Sequence, residues 1–383
     1  MDAVPVTLLT GFLGSGKTTL LGQVLRDPRF SDTAVVINEF GDVGLDHALV
    51  ERSGDELIEM TSGCLCCTIR GDIRRTLVDL HARSSAGSVP MFSRLIVETT
   101  GLADPAPVLH TLMADAAVWQ RYRLGGVVTT VDAVNAEATL ARQAECVKQV
   151  AVADRLVLTK TDLVADPASR KDLLELRRRL ARLNPGAAVL DRQADGFDLR
   201  RLFDTACYDP RSKTIDVQRW LNEEAYRAGH AHDHAGSHDA HAHGHDDPHG
   251  HAHGHGRDEV HDVNRHGSDI EAYCLVRDQP ISGLALSLVL ELLVANRGED
   301  LLRVKGIVNV AGKPDRPCVI HGVQHVFHDP VWLDAWPDAD RRTRIVFITR
   351  NLPRTAIEPI FAAFDGLSDG AAGLEASLGE GPR

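Results

Sequence analysis

Gly11-Phe12-Leu13-Gly14-Ser15-Gly16-Lys17-Thr18 carries glycines, a lysine and a hydroxyl at the spacing that cradles a polyphosphate. The glycines let backbone amides converge on phosphate oxygens, Lys17 can reach the β- and γ-phosphates, and the Thr18 hydroxyl can ligate Mg2+. Gly11, Gly14, Ser15, Gly16, Lys17, Thr18 and Thr19 are therefore the candidate nucleotide contacts. A hydrolase also needs an acidic residue at a strand end and a glycine amide that can sense the γ-phosphate. Leu95-Ile96-Val97-Glu98-Thr99-Thr100-Gly101 supplies both, with Glu98 near Mg2+ and Gly101 near the γ-phosphate. Lys17, Thr18, Glu98 and Gly101 form the candidate catalytic set. Thr159-Lys160-Thr161-Asp162 follows a short apolar run, where a base-reading loop belongs. A carboxylate at Asp162 can accept from the guanine N1–H and exocyclic amine, and adenine offers no matching donor pair. The Lys160 stem can cover the base. Thr159 stands where asparagine is commoner, and guanine is favoured over adenine.

Cys64-Leu65-Cys66-Cys67 crowds three of the seven cysteines into four positions. Three thiolates can fill three corners of a tetrahedral Zn2+ site and leave the fourth open to water, a carboxylate or an imidazole. Soft thiolates favour Zn2+ or Cu+ over Mg2+. The alternative is buried or redox-active thiols without a metal. Gly63 points to a turn that presents the three together, ahead of a helix beginning near Ile69. Glu39, at the end of the second strand on the nucleotide side, is a candidate fourth ligand or a solvated carboxylate. Thirteen of the nineteen histidines lie between His230 and His266. Imidazoles on such a segment bind divalent metals with modest selectivity, so the tract reads as a local metal reservoir or as a permissive linker. His321, His325 and His328 form a looser group, with a surface or docking role as open as ligation. Cys146, Cys207, Cys274 and Cys318 read as small buried hydrophobes.

Short apolar runs alternating with helical patterns must position these groups. Strands are expected at Val4–Thr10, Ala34–Ile37, Leu95–Val97, Leu124–Val131, Leu156–Leu158 and Ala187–Leu190. Helices are expected at Lys17–Leu25 and Lys171–Leu183. Near-continuous apolar strands separated by helices indicate an α/β domain with a mostly parallel sheet covered on both faces. Residues 230–266, nearly all His, Gly, Ala and Asp, cannot build a core and read as a disordered insert. Pattern resumes with strands at Ile270–Val276, Arg303–Val310, Cys318–His321 and Arg344–Thr349, and helices at Ser282–Asn296 and Ile357–Phe364. These make a smaller α+β C-terminal domain, with helices on one face of a mixed or antiparallel sheet. The divisions expected are a phosphate-loop domain over 1–215, a linker with the histidine insert over 216–268, the second domain over 269–366, and a loose tail over 367–383. A net charge of −12 with no basic stripe argues against nucleic acid. The oiliest stretch, Leu284–Ala295, carries Glu291, is too short to span a bilayer and reads as a core helix. Cysteine usage and the lack of a secretory leader point to a cytoplasmic protein.

Together these motifs resemble the CobW-like family of P-loop GTPases. The resemblance runs through Gly11–Thr18, Asn38-Glu39-Phe40-Gly41 with Gly44 and Asp46, Gly63–Cys67, Glu98–Gly101 and Thr159–Asp162. In the second domain it rests on Lys305-Gly306-Ile307 and Val319–Gln324. It implies slow, metal-responsive GTP hydrolysis (GTP/GDP with Mg2+) coupled to delivery of a metal ion to a client protein. Cys64, Cys66 and Cys67 would be the internal metal site, with Glu39 nearby. Zn2+ is the expected cargo, and Co2+ for corrin synthesis, or Co or Fe for a client enzyme, is the alternative. A non-catalytic zinc store or sensor is the rival from another class. A nucleotide- or metal-dependent homodimer is also open. No general base or arginine finger is legible, so a partner would complete the catalytic site.

Overall fold

A computed structural model of the chain describes residues 3–38, 57–59, 65–69, 73–203 and 270–365, with 57–59 and 65–69 described by their backbone pairing. The chain opens with β1 (Val4–Gly11) and α1 (Lys17–Arg26), then β2 (Thr33–Asn38), β3 (Leu57–Glu59) and β4 (Leu65–Ile69). Next come α2 (Ile73–Ser85), β5 (Arg94–Thr99), α3 (Ala106–Ala114), α4 (Ala116–Trp119) and β6 (Tyr122–Asp132). The first unit ends with α5 (Ala136–Arg142), α6 (Ala144–Ala151), β7 (Arg155–Thr159), α7 (Pro167–Leu183), β8 (Ala188–Asp191) and α8 (Arg200–Phe203).

Eight strands form one sheet in the order β3-β4-β2-β5-β1-β6-β7-β8, parallel throughout except for the β3/β4 pair. The two-residue period of the strands feeds two separate cores. Val6, Leu8, Val36, Leu95 and Val97 pack with Leu77, Leu80, Leu109 and Leu112 on one face. Leu9, Val35, Ile37, Ile96 and Val128 pack with Leu20, Leu21 and Val24 of α1 on the other. Burial on both faces is what the near-continuous apolar runs require. α7 starts four residues before its expected boundary. Asp166 caps it by accepting from the Ala168 and Ser169 amides, and Pro167 occupies the first helical position.

The cysteine motif departs from expectation. Cys66 and Cys67 lie inside β4, paired with Val35 and Val36 of β2 and with Ile58 and Leu57 of β3. They are not in a turn, and the following helix begins at Ile73, with Ile69 ending the strand. The run Leu65–Ile69 has enough thiol, β-branched and apolar character to extend the sheet edge. Cys64, Glu39, Phe40, Gly41, Gly44, Asp46, Cys207, the histidine tract and the tail lie outside the described residues.

The second unit consists of β9 (Ile270–Arg277), α9 (Gly283–Arg297), β10 (Leu301–Val308), β11 (Cys318–Val323), β12 (Val326–Phe327), β13 (Val331–Trp332), β14 (Thr343–Arg350) and α10 (Arg354–Ala363). Its sheet runs β12-β11-β10-β14-β9 with β13 also on β11, and every one of these pairs is antiparallel. Tyr273, Leu275, Val304, Ile345 and Phe347 face the helices, meeting Leu286, Val289, Leu293, Ile357 and Phe361. Their alternates Ala272, Cys274, Val346 and Ile348, with Leu302, pack on Ala151 of the first unit. The antiparallel sheet is thus sandwiched between its own helices and the parallel domain. A side chain at Gly306 would meet Ile345 and Ile320 at about 3 Å, which accounts for the glycine there. α9 is buried on one side only, because Leu284, Leu288 and Leu292 remain partly exposed. No helix among the described residues is long and apolar enough to cross a membrane.

Candidate functional site

β1 delivers the phosphate loop and α1 carries it away. Gly11, Gly14 and Gly16 all have positive φ, at 140°, 74° and 91°, the region that glycine enters without steric cost. At Gly11 a side chain is excluded outright, since its Cβ would stand 2.3 Å from Thr130 Oγ1 and 2.5 Å from the Thr130 carbonyl. Ser15 and Thr130 share a buried hydroxyl hydrogen bond of 2.6 Å, which ties the loop to β6. Lys17 is buried at the start of α1, and its Nζ donates to the carbonyls of Gly11 (2.7 Å) and Phe12 (3.3 Å). The ammonium is thus held across the loop, with the first-turn amides of a ten-residue helix alongside. That combination concentrates positive potential where an oxyanion would sit.

Thr18 Oγ1 donates to Glu98 Oε1 at 3.3 Å, so the expected hydroxyl and carboxylate meet across 80 residues of sequence. Glu98 is buried near the end of β5. Beside it, Thr99 Oγ1 donates to Thr10 Oγ1 at 2.8 Å and locks β5 to β1. Gly101 lies hard against the phosphate loop, for a Cβ there would fall 2.5 Å from Leu13 Cα and 2.6 Å from its nitrogen. Leu13, Gly14, Gly16, Lys17, Thr18, Thr19, Ile37, Glu98, Thr99 and Gly101 line one cavity of about 250 Å³. The two motifs read separately from the sequence therefore share one space. Its described lining holds no arginine, histidine or glutamine.

The third motif approaches from β7. Thr159 is fully buried, and its hydroxyl lies 2.8 Å from the Ser15 carbonyl and 3.3 Å from that of Val131. It joins β7 to the phosphate loop. Lys160 takes a left-handed backbone (φ 59°), and its Nζ donates to Asp132 Oδ2 at 2.7 Å. Burial pushes the Asp132 carboxyl up, but donation from Asn135, Lys160 and the Val134 amide outweighs it and holds the group below the usual carboxylate range. Asp162 is exposed in the turn Thr161–Leu163, where Thr161 Oγ1 fixes the backbone by donating to Asp191 Oδ1 at 2.7 Å. The sequence reading missed Thr130, Asp132 and Thr10. A signal was present, because Thr129-Thr130-Val131-Asp132 is a polar end to an apolar strand that runs parallel to β1.

The strand order links this site to the thiol motif. β4 pairs with β2, β2 pairs with β5, and Ile37 of β2 sits opposite Glu98 while lining the cavity. Of the metal candidates, Cys66 and Cys67 are on β4, and Cys64 and Glu39 lie outside the described residues, Glu39 directly following β2. Cys146, Cys274 and Cys318 are buried and unbridged, as expected of small hydrophobes. Burial pushes the thiols of Cys146 and Cys318 up to about 12. His321 is buried at the join of the two units rather than exposed at a strand end. No group of three or more potential ligands converges among the described residues.

The parallel sheet, the glycine-rich loop and the cavity above it define a P-loop nucleotide-binding protein with an appended antiparallel domain. Residues 5–191 match the family model described as CobW/HypB/UreG, nucleotide-binding domain, and residues 270–365 match the cobalamin synthesis protein cobW C-terminal domain. The chain belongs to this CobW family. It is 31% identical to the zinc chaperone YjiA of Escherichia coli, over 96% of this chain and 99% of the relative. It is 28% identical to the zinc chaperone CobW of Pseudomonas aeruginosa, over 92% and 89%. Among solved structures, Zn(II)-bound YjiA GTPase from E. coli superposes with a TM-score of 0.68 at 30% identity, over 95% of this chain and 99% of that one.

Proposed function

We propose that the chain is a GTP hydrolase whose nucleotide state governs the loading and release of Zn2+ for a client protein. The single observation that carries the coupling is the strand order. β2 lies between the cysteine-bearing β4 and the Glu98-bearing β5. Two strand spacings, roughly 10 Å, separate the thiol strand from the catalytic one. A change at the γ-phosphate that shifts Ile37 or the segment after Asn38 would reach Glu39 and the strand holding Cys66 and Cys67. Cys64, Cys66 and Cys67 are the thiolate ligands in this reading, with Glu39 as the oxygen ligand. Support for zinc over cobalt comes from the end-to-end similarity to two proteins named zinc chaperones.

In hydrolysis, Lys17 and the loop amides hold the β- and γ-phosphates, and the Gly101 amide donates to the γ-phosphate. A water oxygen bonds to the γ-phosphorus as the bond to the bridging oxygen breaks, leaving GDP and phosphate. Thr18 Oγ1 and Glu98, a hydroxyl and a carboxylate within hydrogen-bond reach, are hard oxygen donors that fit Mg2+. When bound, Mg2+ neutralises charge on the phosphates. Thr159, Lys160 and Asp162 form the base side, with Asp162 accepting from guanine and the Lys160 stem over its ring. With no arginine, histidine or glutamine in the described lining, hydrolysis by the chain alone is slow and a partner raises it. The client or a second copy of the chain could fill that role.

Chelator competition measures the coupling directly. Zn2+ affinity is determined for protein lacking residues 230–266, loaded in turn with GDP and a non-hydrolysable GTP analogue. A difference of about tenfold, or 1.4 kcal/mol, is expected. Equal affinities would refute the coupling and leave a zinc store or a structural thiol site.

A further inference from the structure

α6 brings two consecutive side chains to the loop that follows β5. Lys148 Nζ pairs with Asp104 Oδ2 at 2.6 Å, and Asp104 Oδ1 accepts the Ala106 amide at the start of α3. Gln149 is fully buried, and its Nε2 donates to the carbonyls of Gly101 (3.2 Å) and Ala103 (3.1 Å). Both amide hydrogens are thereby used, while its Oε1 is buried without a hydrogen-bond partner. An orphaned buried carbonyl is a cost that methionine or leucine of similar volume would not carry. The orientation is fixed, because a flipped amide would turn Oε1 toward two carbonyl oxygens. Space-filling does not explain the residue, and its pair of donors does.

The platform behind it is firm. Thr129 Oγ1 donates to the Gln149 carbonyl at 2.8 Å. Asn184 Nδ2 lies within hydrogen-bond distance of the carbonyls of Val150, Ala151 and Ala153, at 2.8 to 3.1 Å. We propose that Gln149 is a positioning residue for GTP hydrolysis, whose amide clamps the Gly101 and Ala103 carbonyls and keeps Gly101 seated against Leu13 of the phosphate loop. It acts through Gly101 and touches no phosphate. This rests on Gly101 being the γ-phosphate sensor. The clamp distinguishes GTP from GDP, since only the triphosphate presents a group to that loop.

The test uses the full chain and the variant Gln149→Met, which keeps the volume and removes both donors. Its kcat for GTP should fall about tenfold and its affinity for a non-hydrolysable GTP analogue about fivefold, with GDP affinity within about twofold of the parent. Leu176→Ala, a core truncation in α7 away from residues 101–103, should lower Tm and leave the ratio of GTP-analogue to GDP affinity unchanged. If Gln149→Met does not fold, Gln149→Asn, with the amide drawn back by one methylene, carries the same measurement. An unchanged kcat, or equal loss of GDP and analogue binding, overturns the proposal. Gly101→Ala separates the two levels. If it hydrolyses GTP like the parent, the sensor reading fails and the clamp with it. If it is impaired while Gln149→Met is not, the clamp alone fails.

Discussion

Asp154 is the residue whose replacement should separate the two domains. Its side chain is 3% exposed, and Oδ1 accepts from Arg303 (2.5 Å) and Lys305 (2.6 Å), themselves 5% and 9% exposed, while Oδ2 accepts the Val127 amide at 2.8 Å. Burial raises the carboxyl pKa, but the two cations outweigh it and hold the group far below the usual carboxylate range. Asp154→Asn keeps the shape and can retain the Val127 contact. It removes the negative charge facing two buried cations. Two charge-assisted hydrogen bonds at about 1.5–3 kcal/mol each give a loss of roughly 3–6 kcal/mol, in line with the ~3–5 kcal/mol for breaking a buried ion pair. The loss falls on the interface, because the pair joins the loop before β7 to β10 of the second sheet. Calorimetry should therefore resolve two transitions, with the GDP-stabilised one moving least. A single transition shifted by less than the equivalent of about 1 kcal/mol would refute this account, and would mean that the neighbouring apolar contacts hold the interface.

Three further outcomes follow from the geometry. Thr159→Val loses the hydroxyl that reaches the Ser15 carbonyl, so GDP and GTP-analogue affinities should both fall about fivefold by titration calorimetry, roughly 1 kcal/mol. His321 has its pKa driven well down by burial first and by Arg303 and Lys305 next, so the folded state holds it neutral. Its contribution is present above the unfolded pKa of about 6.5 and is lost as pH falls below it, because the unfolded chain takes up the proton first. Tm should drop between pH 7.5 and 5.5, and His321→Gln should flatten that slope. A slope identical in the variant would rule this group out. Finally, peptide mapping after alkylation of the native protein at pH 8 should leave Cys146 and Cys318 unmodified, given their thiols near 12. Labelling at either would mean that its site opens readily.

The local patterns in the sequence carried the parallel sheet, the phosphate loop, Glu98 with Gly101, and the second domain's main strands and helices. These are the features set by short-range spacing: glycine where φ is positive, apolar runs of strand length, a strand end before an acidic residue. Less legible were contacts between side chains far apart in the chain. Ser15 with Thr130, Lys160 with Asp132 and Asp154 with Arg303 are separated by 115, 28 and 149 residues. Gly63 ahead of the three cysteines is a local turn signal, and it points away from the strand that Cys66 and Cys67 join. The strand forms instead because β2 offers a free edge and β3 closes over it.

The domain join was readable in one respect. Leu301-Leu302-Arg303-Val304-Lys305 sets two cations two residues apart in a run whose alternates are core, so both must enter the same buried face. Leu302 is passed over in the pairing with β14, and this bulge turns it to the same side as Arg303. Buried cations call for a carboxylate from elsewhere, and β10, at the middle of its sheet, finds none on either neighbouring strand. It comes from Asp154, three residues after the helix whose Lys148 and Gln149 hold the loop behind Gly101. His110 of α3, the helix that begins where this loop ends, meets the Val323 carbonyl at 2.9 Å on the same sheet. Both elements that hold the loop after β5 are thus seated on the second domain. A shift of that loop between nucleotide states must either move the second sheet or break these contacts. Mant-nucleotide exchange and GTP turnover in Asp154→Asn should therefore change along with stability, and unchanged turnover in a variant that separates the domains would mean that the second domain rides passively on the first.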